Sequence, residues 1–121
     1  MVKRSVRIRL TDMLGAVDGA IEIVKGLTFD NYQRRFVVRR AVEPCVEIVS
    51  EASRHLPQEL KDRHPGAYWE EIKAVGNLLR HEYQRVDDLV MWRIATKYFP
   101  ELRLVVAELL RQVESGGPSI K

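Results

Sequence analysis

Cysteine is nearly absent from this chain, because Cys45 is the only one among 121 residues. A single cysteine can form neither a disulfide within the chain nor a cysteine-based metal site. A chain without disulfides suits a reducing compartment, so we expect the protein in the cytoplasm. The sequence has no apolar run near the roughly 20 residues that span a bilayer. Charged residues also interrupt its basic start, MVKRSVRIRL, so we expect neither a membrane anchor nor a signal peptide.

Several catalytic motifs are missing as well. The chain has no glycine-rich phosphate loop, no HExxH metal motif and no GxSxG nucleophile motif. A large charge of one sign is also lacking, since 20 Lys and Arg stand against 17 Asp and Glu, for a net charge of +3. That mild excess permits an anionic partner such as RNA but does not demand one. We expect no metal ion and no cofactor.

Alternating patterns typical of β-strands are absent, and apolar residues recur instead at the helical spacings of three and four. The first such series comprises Leu10, Leu14, Val17, Ile21 and Val24. Gly26 is well placed as the residue just past the end of this helix. Similar series predict helices over about residues 32–55, 67–82 and 87–98, and a fifth helix from Pro100 onwards. The sequence therefore predicts an all-α, up-and-down bundle of four to five helices.

Local signals refine this prediction. Pro44 lies inside the second helix, where it removes a backbone hydrogen bond, so we expect either a kink near residues 40–44 or two helices in sequence. Asp87 is placed to cap the fourth helix, whereas residues 56–67 are polar and contain turn formers, which predicts a loop. Helices this regular leave apolar flanks on a small bundle, so we expect a homodimer. We assign residues 1–114 to one helical domain and residues 115–121 to a disordered tail.

The third predicted helix ends in a polar cluster that comprises Asn77, Arg80, His81 and Tyr83. Gly76 lies in the same helix although glycine is roughly 1 kcal/mol worse than alanine there. Such a broken local rule marks either function or close packing. Asn77 and His81 are four residues apart and share a helix face. An imidazole can take a proton from a ribose 2′-hydroxyl, and an arginine can stabilise charge on the phosphate. The residues therefore permit a ribonuclease site, although one His beside one Arg is more often an ordinary surface histidine.

Six short segments in order along the chain form a further pattern. They are RLTDML at 9–14, KGLTF at 25–29, EIVSEA at 47–52, WEEI at 69–72, HEY at 81–83 and FPEL at 99–102. In this order they resemble the HepT-like proteins of the HEPN superfamily, and the resemblance covers nearly the whole chain. These relatives are ribonuclease toxins encoded beside a minimal nucleotidyltransferase antitoxin. The resemblance implies a metal-independent RNA endonuclease, with RNA and such an antitoxin as its partners.

The catalytic motif of that family is commonly Arg-Asn-x-x-x-His-x-Tyr. By this resemblance His81 is the catalytic histidine, and Asn77 is the asparagine of the motif. Tyr83 matches the tyrosine to which the partner enzyme adds AMP in some relatives. Gly76 stands where the family has its arginine. Either the site is weakened, or Arg80, one turn further along the same face, supplies the guanidinium instead.

Two functions follow from the resemblance. The first is the toxin of a toxin–antitoxin pair, active as an RNA endonuclease or as a weakened form of one. The alternative is a non-catalytic HEPN dimer that binds RNA or nucleotide, or that docks a nucleotidyltransferase. Gly76 favours the alternative, as do Pro44 and Cys45, where relatives are expected to carry Arg-Asn. The rest of the motif favours the nuclease.

Overall fold

The computed structural model describes residues 2–115, and for Tyr83 and residues 2–4 it describes the backbone alone. This part of the chain consists of helices and turns and contains no strand, which confirms the predicted all-α bundle. The helices are α1 (Val2–Val24), α2 (Phe29–Arg34), α3 (Phe36–Arg54), α4 (Gln58–Asp62), α5 (Trp69–His81), α6 (Asp88–Arg93) and α7 (Phe99–Glu114). A 3₁₀ turn, Tyr83–Arg85, follows α5, and a π-helical turn, Ile94–Tyr98, joins α6 to α7. None of these helices has the length and apolar character that crossing a membrane requires.

Helix α1 packs against both α3 and α7, and α5 packs against α3. The spacing predicted one apolar face of α1 from five residues. Leu10, Val17 and Val24 are buried, whereas Leu14 and Ile21 are half-buried against the core. Met13 and Ala20 are buried beside them and widen the apolar stripe of this helix. Buried side chains from every helix, α1 to α7, join one hydrophobic core, so each helix is held by its apolar face.

The connection from α1 to α3 is fixed by a glycine and a threonine. Gly26 ends α1 as predicted, with a left-handed φ of +78°. The Thr28 hydroxyl accepts a hydrogen bond from the Asn31 N–H at 3.1 Å, and the Asn31 side chain accepts one from the Thr28 N–H at 3.3 Å. This reciprocal capping box starts α2. Arg35, in extended conformation at φ −103° and ψ 96°, then separates α2 from α3.

The helix predicted over residues 32–55 is divided at Arg35 and not at Pro44, which lies inside α3. The kink near Pro44 stays a prediction. Pro44 is exposed, so its ring meets solvent and not a neighbouring helix. Val42 and Val46 flank it and are both fully buried, which holds the two parts of α3 on the same core. Tertiary packing thus outweighs the local preference of proline to end a helix.

The segment predicted as a loop between α3 and α5 contains the short helix α4. Leu60 anchors α4 in the core with no exposed surface. The Lys61 ammonium donates to the Ser53 carbonyl at 3.0 Å, and the Trp69 indole N–H donates to the carbonyls of Lys61 and His64 at 3.2 and 2.9 Å. The prediction of a loop was wrong because one buried leucine in five residues leaves no helical periodicity to detect.

The last helices follow one another without a break. Asp87 caps α6 as predicted, since its carboxylate accepts from the Leu89 N–H at 2.7 Å. Pro100 lies in the first turn of α7, where its missing N–H costs little, so the fifth predicted helix begins next to this proline as expected. The Ser115 N–H still bonds to the Arg111 carbonyl at 3.0 Å. The rest of the predicted tail, residues 116–121, lies outside the described residues.

Replacing Thr28 by alanine removes the hydroxyl that caps α2, and we expect the free energy of unfolding to fall by about 1 kcal/mol. Thr11→Ala is a matched control. The Thr11 hydroxyl donates to the Arg7 carbonyl within α1, a position where alanine is the better helix former. Urea denaturation should show a loss for Thr28→Ala and none for Thr11→Ala. Equal losses would contradict the capping role.

Candidate functional site

Helix α5 carries three polar residues at intervals of four, Lys73, Asn77 and His81. All three line a groove of about 820 Å³ between α5 and the end of α3 with α4. The residues that α3 and α4 contribute to this groove are Ser53, Arg54, Gln58, Lys61 and Asp62. Asn77 and His81 are exposed, so the structure brings the predicted pair together at an open surface.

The charge of the groove changes along α5. Glu70 and Glu71 border it at the first turn of the helix, and Lys73 follows. Arg54 and Lys61 add two further cations from α3 and α4. Sequence reasoning missed these three basic residues. The spacing of Lys73 from the Asn77–His81 pair was a signal in the sequence, but Arg54 and Lys61 reach the groove only through the fold.

Gly76 is buried where α5 packs against Ser50 of α3. A Cβ atom at position 76 would lie 1.9 Å from the Ser50 hydroxyl oxygen and 2.4 Å from the Ser50 Cβ. Rotation of the hydroxyl cannot relieve this overlap, because the Ser50 Cβ is fixed to the backbone of α3. Close packing therefore explains the glycine that breaks the helix rule in the sequence.

The Arg80 side chain folds back along α5 toward Gly76. Its Nη2 donates to the Asn77 Oδ1 at 2.5 Å, and its Nη1 lies 3.5 Å from the point that a Cβ of residue 76 would occupy. Arg80 is half-buried, which limits the freedom of its guanidinium. The structure thus joins Arg80 to Asn77 on the helix end that carries His81, while the catalytic role of these residues stays a prediction.

A charged network on α3 faces the same arginine. The Glu51 carboxylate bonds to the His55 ring at 2.9 Å and lies 3.5 Å from the Arg54 guanidinium. The hydrogen bond to His55, followed by the charges of Arg54 and Arg80, holds the pKa of Glu51 below its usual value. The spacing of four residues between Glu51 and His55 is the sequence signal for such a pair on one helix face.

Tyr83 begins the 3₁₀ turn directly after this site, but its side chain lies outside the described part of the chain, so its modification stays a prediction. Among the described side chains, no three His, Cys, Asp or Glu residues come together in a group that could hold a metal ion.

Comparison with known proteins finds a matching family model and several related proteins. The chain matches the family model described as "Ribonuclease HepT-like" over residues 13–109. A relative from Caldanaerobacter subterraneus subsp. tengcongensis, named a "putative RNase", is 33% identical over 90% of this chain and 97% of its own. Another "putative RNase", from Methanocaldococcus jannaschii, is 29% identical over 85% of this chain and 94% of its own. The "probable ribonuclease HepT" of Thermococcus cleftensis is 29% identical over 84% and 93%. No solved structure matches the chain.

The close contact at Gly76 predicts opposite effects for two glycine-to-alanine variants. Gly76→Ala should lower the free energy of unfolding by about 1–3 kcal/mol, because the new methyl group overlaps Ser50. Gly15, in α1, has no atom within 4 Å of its would-be Cβ. Gly15→Ala should therefore raise that free energy by about 0.5–1 kcal/mol through helix propensity. Chemical denaturation measures both, and a stabilised Gly76→Ala would refute the overlap.

Proposed function

Because the chain belongs to the family of HepT-like ribonucleases, we propose that it is a metal-independent RNA endonuclease. In this proposal His81 is the general base, Arg80 stabilises the charge on the scissile phosphate, and Asn77 orients Arg80. The observation that carries the proposal is the hydrogen bond from Arg80 to Asn77, two residues that lie within one turn of His81 on α5. In this proposal Arg80 supplies the guanidinium, and Gly76 is the position where the resemblance places the arginine of the motif.

The proposed reaction needs no atoms beyond RNA, these side chains and solvent. The His81 imidazole takes the proton of a ribose 2′-hydroxyl, and the 2′-oxygen attacks the adjacent phosphorus. The bond from phosphorus to the 5′-oxygen breaks, and that oxygen leaves with a proton from solvent. The products are a 2′,3′-cyclic phosphate and a free 5′-hydroxyl. The Arg80 guanidinium, with its several N–H donors, binds the phosphate oxygens as negative charge builds on them.

The groove beside His81 is lined by basic and by acidic side chains, Asp62 of α4 among the acidic ones, and the basic ones could bind a polyanionic substrate. Lys73 is on the same face of α5 as His81, and Arg54 and Lys61 border the groove from the other helices. These cations can pair with successive phosphates, which dominate the affinity of proteins for nucleic acids. Glu70 and Glu71 border the groove at the first turn of α5 and disfavour phosphate there. The strand is therefore proposed to lie along the later turns of α5.

The wider role in this proposal is that of a toxin in a toxin–antitoxin pair in the cytoplasm. The partner is a minimal nucleotidyltransferase, which inactivates the toxin by adding AMP to Tyr83. The 3₁₀ turn Tyr83–Arg85 directly follows the His81 helix, so a modified tyrosine there would lie close to the site. The toxin acts as a homodimer in which two copies of the His81 cluster face one cleft.

A second candidate function rests on Gly76 itself. The contact with Ser50 excludes an arginine from this position as the chain stands. If Arg80 does not replace it, the protein is a non-catalytic HEPN dimer that binds RNA or docks a nucleotidyltransferase. An RNA cleavage assay with the wild-type protein distinguishes this candidate from the nuclease.

Purified protein should cleave single-stranded RNA equally well with and without EDTA and should leave 2′,3′-cyclic phosphate ends. His81→Ala should slow cleavage by about 10²–10⁴-fold, and Arg80→Ala by about 10²–10³-fold. His64→Ala and Arg85→Ala are controls of the same residue types outside the proposed catalytic group. RNA binding without cleavage by the wild-type protein would favour the second candidate. Cleavage that survives Arg80→Ala would exclude Arg80 as the replacement arginine.

Incubation with a cognate nucleotidyltransferase and ATP should add AMP to the protein and suppress its cleavage of RNA. Tyr83→Phe keeps the ring and removes the acceptor hydroxyl, so this variant should take up no AMP and should stay active in the presence of the partner. Intact-protein mass spectrometry measures the addition. Modification of Tyr83→Phe to the wild-type extent would place the acceptor elsewhere.

A further inference from the structure

Ser50, on α3, borders both Gly76 and the Arg80 guanidinium. It has no exposed surface. Its Oγ lies 1.9 Å from the point that a Cβ of residue 76 would occupy, and the Arg80 Nη1 lies 3.5 Å from that same point. The Ser50 hydroxyl and the Arg80 Nη1 therefore both lie near the same point beside Gly76.

The Ser50 hydroxyl has no hydrogen-bond partner among the described residues. A buried hydroxyl without a partner is costly, and such groups call for an explanation. Ser53, three residues further along α3, is also buried, but its hydroxyl donates to the Ser50 carbonyl at 2.9 Å. Of these two buried serines, the unsatisfied one is thus the serine beside the arginine.

The Arg80 guanidinium can donate a hydrogen bond to the Ser50 hydroxyl. Its Nη2 is held by Asn77, while its Nη1 is the nitrogen that lies near Gly76 and Ser50. Arginine is a donor only, and a serine oxygen can accept two hydrogen bonds. A small shift of the guanidinium, as it engages a phosphate, would bring its Nη1–H to the Ser50 oxygen.

We infer that Ser50 is the positioning residue that fixes the site's arginine at position 80. The Ser50 side chain leaves no room for an arginine at position 76. The Ser50 hydroxyl accepts a hydrogen bond from Arg80 Nη1 in the substrate-bound state. This inference rests on the proposed nuclease function for the role of Arg80. Ser50 itself touches no substrate and acts through the arginine.

A double-mutant cycle tests the hydroxyl. Ser50→Ala keeps the Cβ and removes only the oxygen, so the fold should persist. We expect kcat for RNA cleavage to fall about tenfold with KM nearly unchanged, because the arginine loses its orientation in the transition state. In the Arg80→Ala background the same change should have no further effect. An equal loss of kcat in both backgrounds would show a merely structural serine and would overturn the inference.

Exchanging a large and a small side chain between positions 50 and 76 tests whether Ser50 excludes a side chain at position 76. This test does not rely on activity. Gly76→Arg should lower the melting temperature strongly, and adding Ser50→Gly should recover most of that loss. Gly15→Arg is the matched control, because nothing lies within 4 Å of a Cβ at that position. It should leave the melting temperature equal or slightly higher, because arginine is a better helix former than glycine. If Gly76→Arg lowers the melting temperature by the same amount with and without Ser50→Gly, the inference is overturned.

A triple variant tests whether an arginine at position 76 can replace the arginine at position 80. Ser50→Gly/Gly76→Arg/Arg80→Leu should cleave RNA within about tenfold of the wild-type rate, whereas Arg80→Leu alone should lose cleavage by about 10²–10³-fold. A stable exchanged chain that is as inactive as Arg80→Leu would contradict an arginine shared between the two positions. If the wild-type protein cleaves no RNA, the proposed function fails, and the melting temperatures still decide whether Ser50 excludes a side chain at position 76.

Discussion

The contact between Ser50 and Gly76 sets the distance between α3 and α5, and the site is arranged around it. A side chain at position 76 would meet the Ser50 Cβ at 2.4 Å, so the two helices can approach this closely only where one of them carries glycine. On the same side of α5, Ile72 and Leu79 are buried in the core. Because that side of α5 packs against the core, the polar residues Asn77 and His81 face the groove.

The arginine depends on this arrangement more than on ion pairing. Exposed ion pairs such as Glu51 with Arg54 contribute little to stability, because water screens them and side-chain entropy opposes them. The hydrogen bond to Asn77 and the half-buried position of Arg80 restrict a side chain that would otherwise have many rotamers. The nearby Glu51 carboxylate adds a charge that favours the guanidinium on this side of α5. Orientation is therefore the main contribution of the fold to the site.

Local patterns predicted those features of the chain that local physics controls. The spacing of α1, the glycine at its end and the cap at Asp87 all required only residues close in sequence. The division at Arg35 and the short helix α4 did not follow from them, since Arg35 has no breaking tendency of its own and α4 is held by one buried leucine, Leu60. In the site, a spacing of four predicted the shared face of Asn77 and His81. The partner of Gly76 lies 26 positions away on another helix, so no local rule could identify Ser50.

A glycine in the middle of a helix has two opposite explanations, and the surroundings of Gly76 distinguish between them. Decay of a site by loss of an arginine would leave a vacant space beside the glycine, with neighbouring side chains unchanged in their roles. Here the space is filled from one side by Ser50 and bordered from the other by Arg80. Glycine costs roughly 1 kcal/mol in a helix relative to alanine, and it persists where close packing requires it. The glycine, the serine and the arginine therefore form one packed arrangement, and under the proposed function the guanidinium of Arg80 would serve the site from the next turn of the same helix.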